Sequence, residues 1–457
     1  ANRDHTNNIN SGSIYIYNYD QNMNIVLFEK IIPSDYSSDQ FFGKSLSYNN
    51  DWLAVSSIYD EDNGIKSGAV YIYHFNGESF IEHSKITAFD GSSFDRFGYS
   101  IDIYSNKLIV GSIYDDDRGE NSGAAYLYEY QNDNWDLIDK ICPEHLSSMD
   151  LFGYSVSMND SYLAVSSPQS SLENSQAGAV DIFSLEDYNF LEFNTIIPED
   201  LGQYNQFGKS LEMDSTLLAI GSIYDDENSI NAGSVYIYRL IDGSWVFNDK
   251  IFASDGIAND NFGLSLSLNN NWISIGSIDD DNGIDSGSLY LFESENGIFI
   301  EKAKLSSSDG NPYDEFSSSL SLKSDFLVVG AKFDDDNGNN SGSAYFYKYK
   351  GCLDINACNY DDNSILAYNS LCEYPLNGFE CDGQCFQEID ECGICGGQGS
   401  SGDINIDDEI NIIDVVIIVD FIFNYELITN MCIVDLNDNG SLNITDIVLL
   451  VESILTD

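Results

Sequence analysis

At 457 residues, with 76 acidic against 18 basic side chains, the chain carries a formal charge of −58 and is too long for one ordinary domain. Such a field repels phosphate backbones and anionic lipid, which argues against nucleic-acid and membrane-surface partners. It also repels itself, which favours an ion-rich setting, extracellular or at a cell surface. Apolar residues at 43 % supply ample core, and a bias to Tyr (30) and Phe (26) favours strands. The one long apolar run, residues 410–423, is interrupted by Asp414 and Asp420 and is too short to span a bilayer, so no membrane insertion is expected. No signal peptide is visible and the chain opens inside a repeat, as expected of a processed or truncated product.

The repeat begins at once. A Phe-Gly pair recurs at Phe42, Phe97, Phe152, Phe207 and Phe262 and decays to Phe316-Ser317, in steps of 55, 55, 55, 55 and 54 residues. A small residue followed by Gly precedes an aromatic run at Gly12, Gly68, Gly123, Gly178, Gly233, Gly287 and Gly342. Two independent markers keeping one period predict a repeat architecture. Each unit reads as four short strands. In the first unit these are residues 44–48, residues 52–55 after an Asn-rich turn, residues 69–73 after an acidic loop, and a run ending in Lys85 and Ile86. Alternation in Tyr71/Tyr73, Tyr126/Tyr128, Tyr236/Tyr238 and Tyr345/Tyr347 puts two rings on one face of the third strand. One sheet cannot bury that face, whereas sheets stacked radially around an axis can, so a β-propeller is expected over residues 1–350.

Units such as FGKSLSYNNDWLAVSSIYDEDNGIKSGAVYIY resemble FG-GAP repeats, the blades of integrin α-chain propellers and of many bacterial secreted proteins. Integrin-like blades carry a calcium loop between their first and second strands. Here that turn is only Asn49, Asn50 and Asp51, or Ser105, Asn106 and Lys107, too short to wrap an ion. The acids cluster instead between the second and third strands, at Asp60 and Asp62, Asp115 and Asp117, Asp225 and Glu227, Asp279 and Asp281, and Asp334 and Asp336. The unit opened by Phe152 breaks the pattern with Pro168, Gln169, Ser170 and Ser171. Alternate carboxylates of this kind either hold calcium or shape turns.

Residues 351–399 change character, holding Cys352, Cys358, Cys372, Cys381, Cys385, Cys392 and Cys395. The last four could ligate zinc, but the two pairs stand too close for a zinc ribbon and no His lies nearby. Disulfides in a small, core-poor connector are the expectation, with the odd thiol free or paired to Cys432 or another chain. The segment resembles cysteine-rich spacers of bacterial surface proteins.

Residues 400–457 hold two twelve-residue loops. Asp403, Asn405, Asp407, Asn411 and Asp414 fill positions 1, 3, 5, 9 and 12 of the first, and Asp435, Asn437, Asn439, Asn443 and Asp446 those of the second. Each leads into an apolar helix, expected over residues 415–423 and 447–455. Oxygen donors at these offsets fit EF-hand-type calcium coordination, and the duplication with Asp at position 12 looks like a dockerin. Asp408 stands where position 6 normally has Gly, and Ile412-Ile413 and Ile444-Thr445 replace the small or polar recognition residues of cellulosomal dockerins. The resemblance implies calcium binding, and a cohesin-like domain or a neighbouring domain as partner.

The four His (His5, His74, His83, His145) occupy no catalytic motif, and neither a nucleophile elbow nor a phosphate loop appears. The expectation is a mainly β, non-catalytic binding or adhesion protein recognising a glycan or protein. The alternative is a component of a polysaccharide-degrading complex with glycosidase or lyase activity on the propeller. Seven third strands against six Phe-Gly strands predict a seven-bladed ring. Its closing fourth strand and the first two strands of its opening blade are expected upstream of Ala1. The rival is a six-bladed ring closed by residues 25–31.

Overall fold

A computed structural model describes residues 10–19, 25–186, 190, 193–278, 285–336, 338–361, 364–375, 381, 402–405, 409–424, 431–437 and 441–456. The chain divides into two compact units, Ala1–Tyr349 and Lys350–Asp457.

The first unit is built from antiparallel four-stranded meanders. In the first of them Phe42–Asn49, Trp52–Ser57, Ala69–Phe75 and Phe80–Ile86 hydrogen-bond in chain order. Six such sheets follow one another, preceded by a two-stranded hairpin, Ile14–Tyr19 with Ile25–Ile31. Both faces of a sheet are apolar because each packs on a neighbour. Ala54, Val70 and Ile72 meet Phe97, Ile101 and Ile103 of the next sheet, while Phe42, Val55, Tyr71 and Tyr73 meet Ile14 and Ile31 of the hairpin. The alternating tyrosines lie on one face as expected, and Phe42 contacts both rings edge-on at 5.4 and 6.4 Å.

The two glycine markers are two sides of one contact. Gly68 has φ +87°, and a Cβ there would stand 2.1 Å from the Phe97 carbonyl oxygen of the next sheet. Beside it the Phe97 N–H donates to the Ser67 carbonyl at 2.8 Å. Gly123 meets Phe152 in the same way, Gly178 meets Phe207, Gly233 meets Phe262, and Gly12 of the hairpin meets Phe42. Only a residue without a side chain, free to adopt positive φ, admits the neighbouring backbone so closely. That need explains why both markers keep one period.

The innermost strands are joined by side-chain hydrogen bonds between neighbours. Ser47 Oγ donates to Asp102 Oδ1 at 2.9 Å, and the Met158 N–H donates to Asp102 Oδ2 at 2.8 Å. The Met213 N–H donates to Ser157 Oγ at 2.9 Å, and the Leu322 N–H to Ser267 Oγ at 3.0 Å. A polar residue at the centre of each inner strand thus satisfies the backbone of the next.

Two features mark the ends of the array. Leu46 and Tyr48, facing the hairpin side, are 54 % and 52 % exposed, whereas their counterparts Ile101 and Ile103 are 7 % and 2 % exposed. Gly342, the last glycine marker, has no phenylalanine against it, its nearest neighbours being the carbonyls of Lys332 and Ala331 at 3.3 and 3.4 Å. One expectation is corrected: the sixth sheet takes its fourth strand from Ser364–Ala367, downstream, instead of from a segment ahead of Ala1. The Tyr368 N–H donates to the Gly351 carbonyl at 2.9 Å beside it. This four-residue strand lacks the Lys-Ile ending of the first, second and fourth sheets and sits among cysteines, so no pattern announces it.

In the second unit lie helices α1 (Ile412–Asn424), α2 (Met431–Val434) and α3 (Ile444–Thr456). Val415 and Ile418 of α1 pack with Val434 and Leu450. Both long helices start three residues before their expected positions because Asn411 and Asn443 cap them, accepting the N–H groups of Ile413 and Thr445 at 2.8 and 2.9 Å. No helix among the described residues is long and apolar enough to cross a membrane.

Candidate functional site

The acidic loops close on themselves. Asp60 is fully buried: its Oδ1 accepts the Asp62 N–H at 3.1 Å, and its Oδ2 accepts the Tyr71 hydroxyl at 3.1 Å. Register in the outer strand pair sets Lys85 opposite Tyr71. The Lys85 ammonium therefore reaches Asp35, Asp60 and Asp62 at 2.7, 2.8 and 2.7 Å. The second sheet repeats this with Lys140 on Asp90, Asp115 and Asp117, and the fourth with Lys250 on Asp200, Asp225 and Glu227. In the fifth, Lys304 reaches Asp255 at 2.6 Å, while Asp279 and Asp281 lie outside the described residues. Burial alone would lower the lysine pKa, but the three carboxylates outweigh it and hold Lys85, Lys140 and Lys250 well above the usual range. Burial and the flanking acids likewise drive the Tyr71, Tyr126 and Tyr236 phenols far up, keeping them protonated donors. In the first, second and fourth sheets a lysine ammonium thus stands among the carboxylates read as calcium ligands.

Two sheets depart. In the third, all five positions change together: His145, Ser170, Leu172, Asp181 and Thr195 replace Asp, Asp, Asp, Tyr and Lys. His145 Nε2 lies 3.1 Å from Asp181 Oδ2, and Thr195 Oγ1 donates to Asp181 Oδ1 at 2.5 Å. In the sixth, the Tyr345 hydroxyl donates to Asp309 and Asp334 at 2.7 and 3.0 Å, and no lysine joins them among the described residues. The charges of Asp334 and Asp309 push the Asp336 carboxyl above its usual range.

The C-terminal loops bring both last positions inside, and the first loop its first position too, whereas Asp435 is only half-buried. Asp403, Asp414 and Asp446 are fully buried. Asp414 accepts the N–H groups of Ile404 and Asn411, each at 2.8 Å. Asp446 accepts the Asn437 side-chain amide at 2.8 Å and the Asn443 N–H at 2.9 Å. Asn437 Oδ1 is buried without a hydrogen-bond donor. An orphan acceptor beside a buried carboxylate fits a hard cation, which both would coordinate. Asp407 and Asn439 lie outside the described residues.

Cys352 bonds to Cys372 and Cys358 to Cys381, with Cα separations of 4.9 and 5.0 Å, so Cys381 is a disulfide partner and not a zinc ligand. Cys385, Cys392 and Cys395 lie outside the described residues. Cys142 is a free thiol whose pKa burial raises.

One constellation escapes the sequence reading. The residue two places after each repeat phenylalanine lines the inner strands, and in four successive sheets it is Lys44, Tyr99, Tyr154 and Lys209. Lys44 Nζ lies 5.2 Å from the Tyr99 ring centroid, the two tyrosine rings are 5.1 Å apart, and Lys209 Nζ lies 4.4 Å from the Tyr154 centroid. Aligning the units at that one position would have shown the row.

Sheets of four antiparallel strands, packed face to face and stapled glycine to phenylalanine from one to the next, define a repeat-built β-propeller. The family model for the FG-GAP repeat matches residues 26–73, 80–128, 135–183, 190–238, 245–292 and 299–347, more than half of the chain, and the protein belongs to the FG-GAP repeat family. Each match begins near a fourth strand and ends at the next third strand, so the family repeat runs out of phase with the sheets. None of the curated proteins matches the chain.

Proposed function

We propose that this is a non-catalytic extracellular or cell-surface binding protein. Its propeller presents a glycan- or protein-binding surface, and its C-terminal dockerin-like module attaches it, with calcium, to a cohesin-like partner or a neighbouring domain. The observation that carries the attachment is the pair of buried position-12 carboxylates with the orphan Asn437 oxygen beside one of them. Asp403, Asn405, Asp407, Asn411 and Asp414 would hold one calcium ion, and Asp435, Asn437, Asn439, Asn443 and Asp446 the other. The ions would neutralise acids that otherwise repel and so complete the fold of both loops. Propeller rigidity supports a binding surface, because lysine, tyrosine and glycine contacts fix the loops between strands. We also infer a seven-bladed ring whose first blade has the N-terminal hairpin as its outer half. The exposed Leu46 and Tyr48 and the unmatched Gly342 support that reading.

The intact protein applied to a polysaccharide array should bind at least one glycan without releasing reducing ends. Pull-down on a cohesin panel should give capture in calcium that EDTA abolishes. Catalytic release of sugar, or capture indifferent to EDTA, contradicts the proposal.

A further inference from the structure

Most lysines that approach the propeller's carboxylate clusters are satisfied there, yet a second group of cations has no carboxylate partner among the described residues. Lys44 and Lys209 end the row described above and contact tyrosine rings instead. Arg96 lies between the rings of Tyr59 and Tyr114, at 5.3 and 4.7 Å, and its Nε is buried with no acceptor. Arg96 adjoins the row, its carbonyl accepting the Tyr99 N–H at 3.1 Å. Burial, then the like charges of Lys332 (itself paired with Glu315), Lys209 and Arg96, hold the Lys44 pKa below its usual value. In a chain of net charge −58, gathering positive groups without counter-ions is costly, and ring faces offset only part of that cost.

We propose that this inner-strand cluster is an oxyanion site, in which Lys44, Arg96 and Lys209 take the carboxylate or sulfate group of an acidic saccharide. The assignment rests on the reading of the propeller as a glycan-binding module. Ammonium and guanidinium groups supply charge-assisted donors for the acid group. The adjoining tyrosines supply hydroxyls and ring faces for the sugar that carries it. Acids more than about 8 Å away are largely screened at physiological ionic strength, so the local cations decide whether a single acid group is held.

Calorimetric titration of the intact protein with tetragalacturonate, its methyl ester and inorganic sulfate tests the site. Tetragalacturonate should bind, and its uncharged ester should bind about tenfold more weakly or worse. Lys44→Gln and Lys209→Gln should each weaken acid binding by about tenfold, whereas Lys302→Gln, on a remote outer strand, should leave it unchanged. Sulfate that competes with the oligomer and shares its sensitivity to both variants extends the site to sulfated sugars. Urea midpoints establish that the variants are folded. Binding of neither acid, or acid binding indifferent to both substitutions, overturns the site. Undiminished binding of a neutral glycan by both variants, with no preference for acids, overturns it too while leaving the glycan-binding reading intact.

Discussion

Replacing Gly123 with alanine should destabilise the propeller severely, while the same replacement at Gly342 should be mild. Both glycines occupy the same marker position and both have positive φ, +84° and +75°. A Cβ on Gly123 would stand 2.2 Å from the Phe152 carbonyl oxygen and 2.4 Å from its nitrogen, atoms of the neighbouring sheet's backbone. That backbone cannot swing aside as a side-chain end could. It is held by the Phe152 N–H bond to the Ser122 carbonyl at 2.9 Å, and the Phe152 ring is fully buried. Relieving the clash therefore means parting two sheets. At Gly342 the nearest atoms are carbonyls 3.3 Å away, so only the conformational strain remains. Urea unfolding of the intact protein should show a loss of at least about 3 kcal/mol for Gly123→Ala and about 1 kcal/mol for Gly342→Ala. Equal losses would mean that the marker serves its own turn and not the contact between sheets.

Lys250→Ala should cost about 3 kcal/mol, whereas Lys302→Ala should cost far less. The Lys250 side chain is 11 % exposed and Asp225, beside it at 2.9 Å, is 3 % exposed, so removing the ammonium strands a buried carboxylate. Glu227 at 2.6 Å is more than half exposed and adds little once solvent screening is counted. Lys302 pairs with Glu295 on the surface, where such contacts contribute little. The difference should depend on pH in a defined sense. Burial acts to raise the Asp200 pKa, but the Lys250 contact prevails and holds it below the ordinary carboxylate value. Its contribution is therefore complete above about pH 4 and fades as pH falls through the lowered value. Lys250 is held above its ordinary value, so its contribution is complete below about pH 10 and is lost only at higher pH. The two unfolding curves should accordingly be furthest apart between these limits. A gap of less than 1 kcal/mol at neutral pH would reduce the lysine to an ornament of the loop.

The repeat was legible because its markers answer a backbone need that no side chain can meet. Gly68 and Phe97 belong to one contact, and neither can drift from the period without losing it. Tyr71 and Tyr73 were legible for the related reason that strand alternation commits both to one buried face. The ion clusters were only half legible. Asp60 and Asp62 stand together in sequence, but Lys85 is more than twenty residues on and Asp35 belongs to the loop before the sheet. Only the register of the outer strand pair brings the lysine over Tyr71 and into the acids. The cationic row shows only when the units are aligned at one position, because each contributes a single residue and Lys44 and Lys209 are three repeats apart. The strand Ser364–Ala367 carries no pattern because four residues beside a disulfide-bonded segment need none.

Calcium stoichiometry tests most directly the claim that lysine serves as the cation of the acidic loops in the first, second and fourth sheets while calcium belongs to the C-terminal pair. Native mass spectrometry of the intact protein, titrated with calcium after EDTA treatment, should show two tightly held ions. Asp414→Ala and Asp446→Ala should each remove one, and Asp225→Asn should remove none. A count unchanged by the first two substitutions, or an ion lost with the third, would contradict the account.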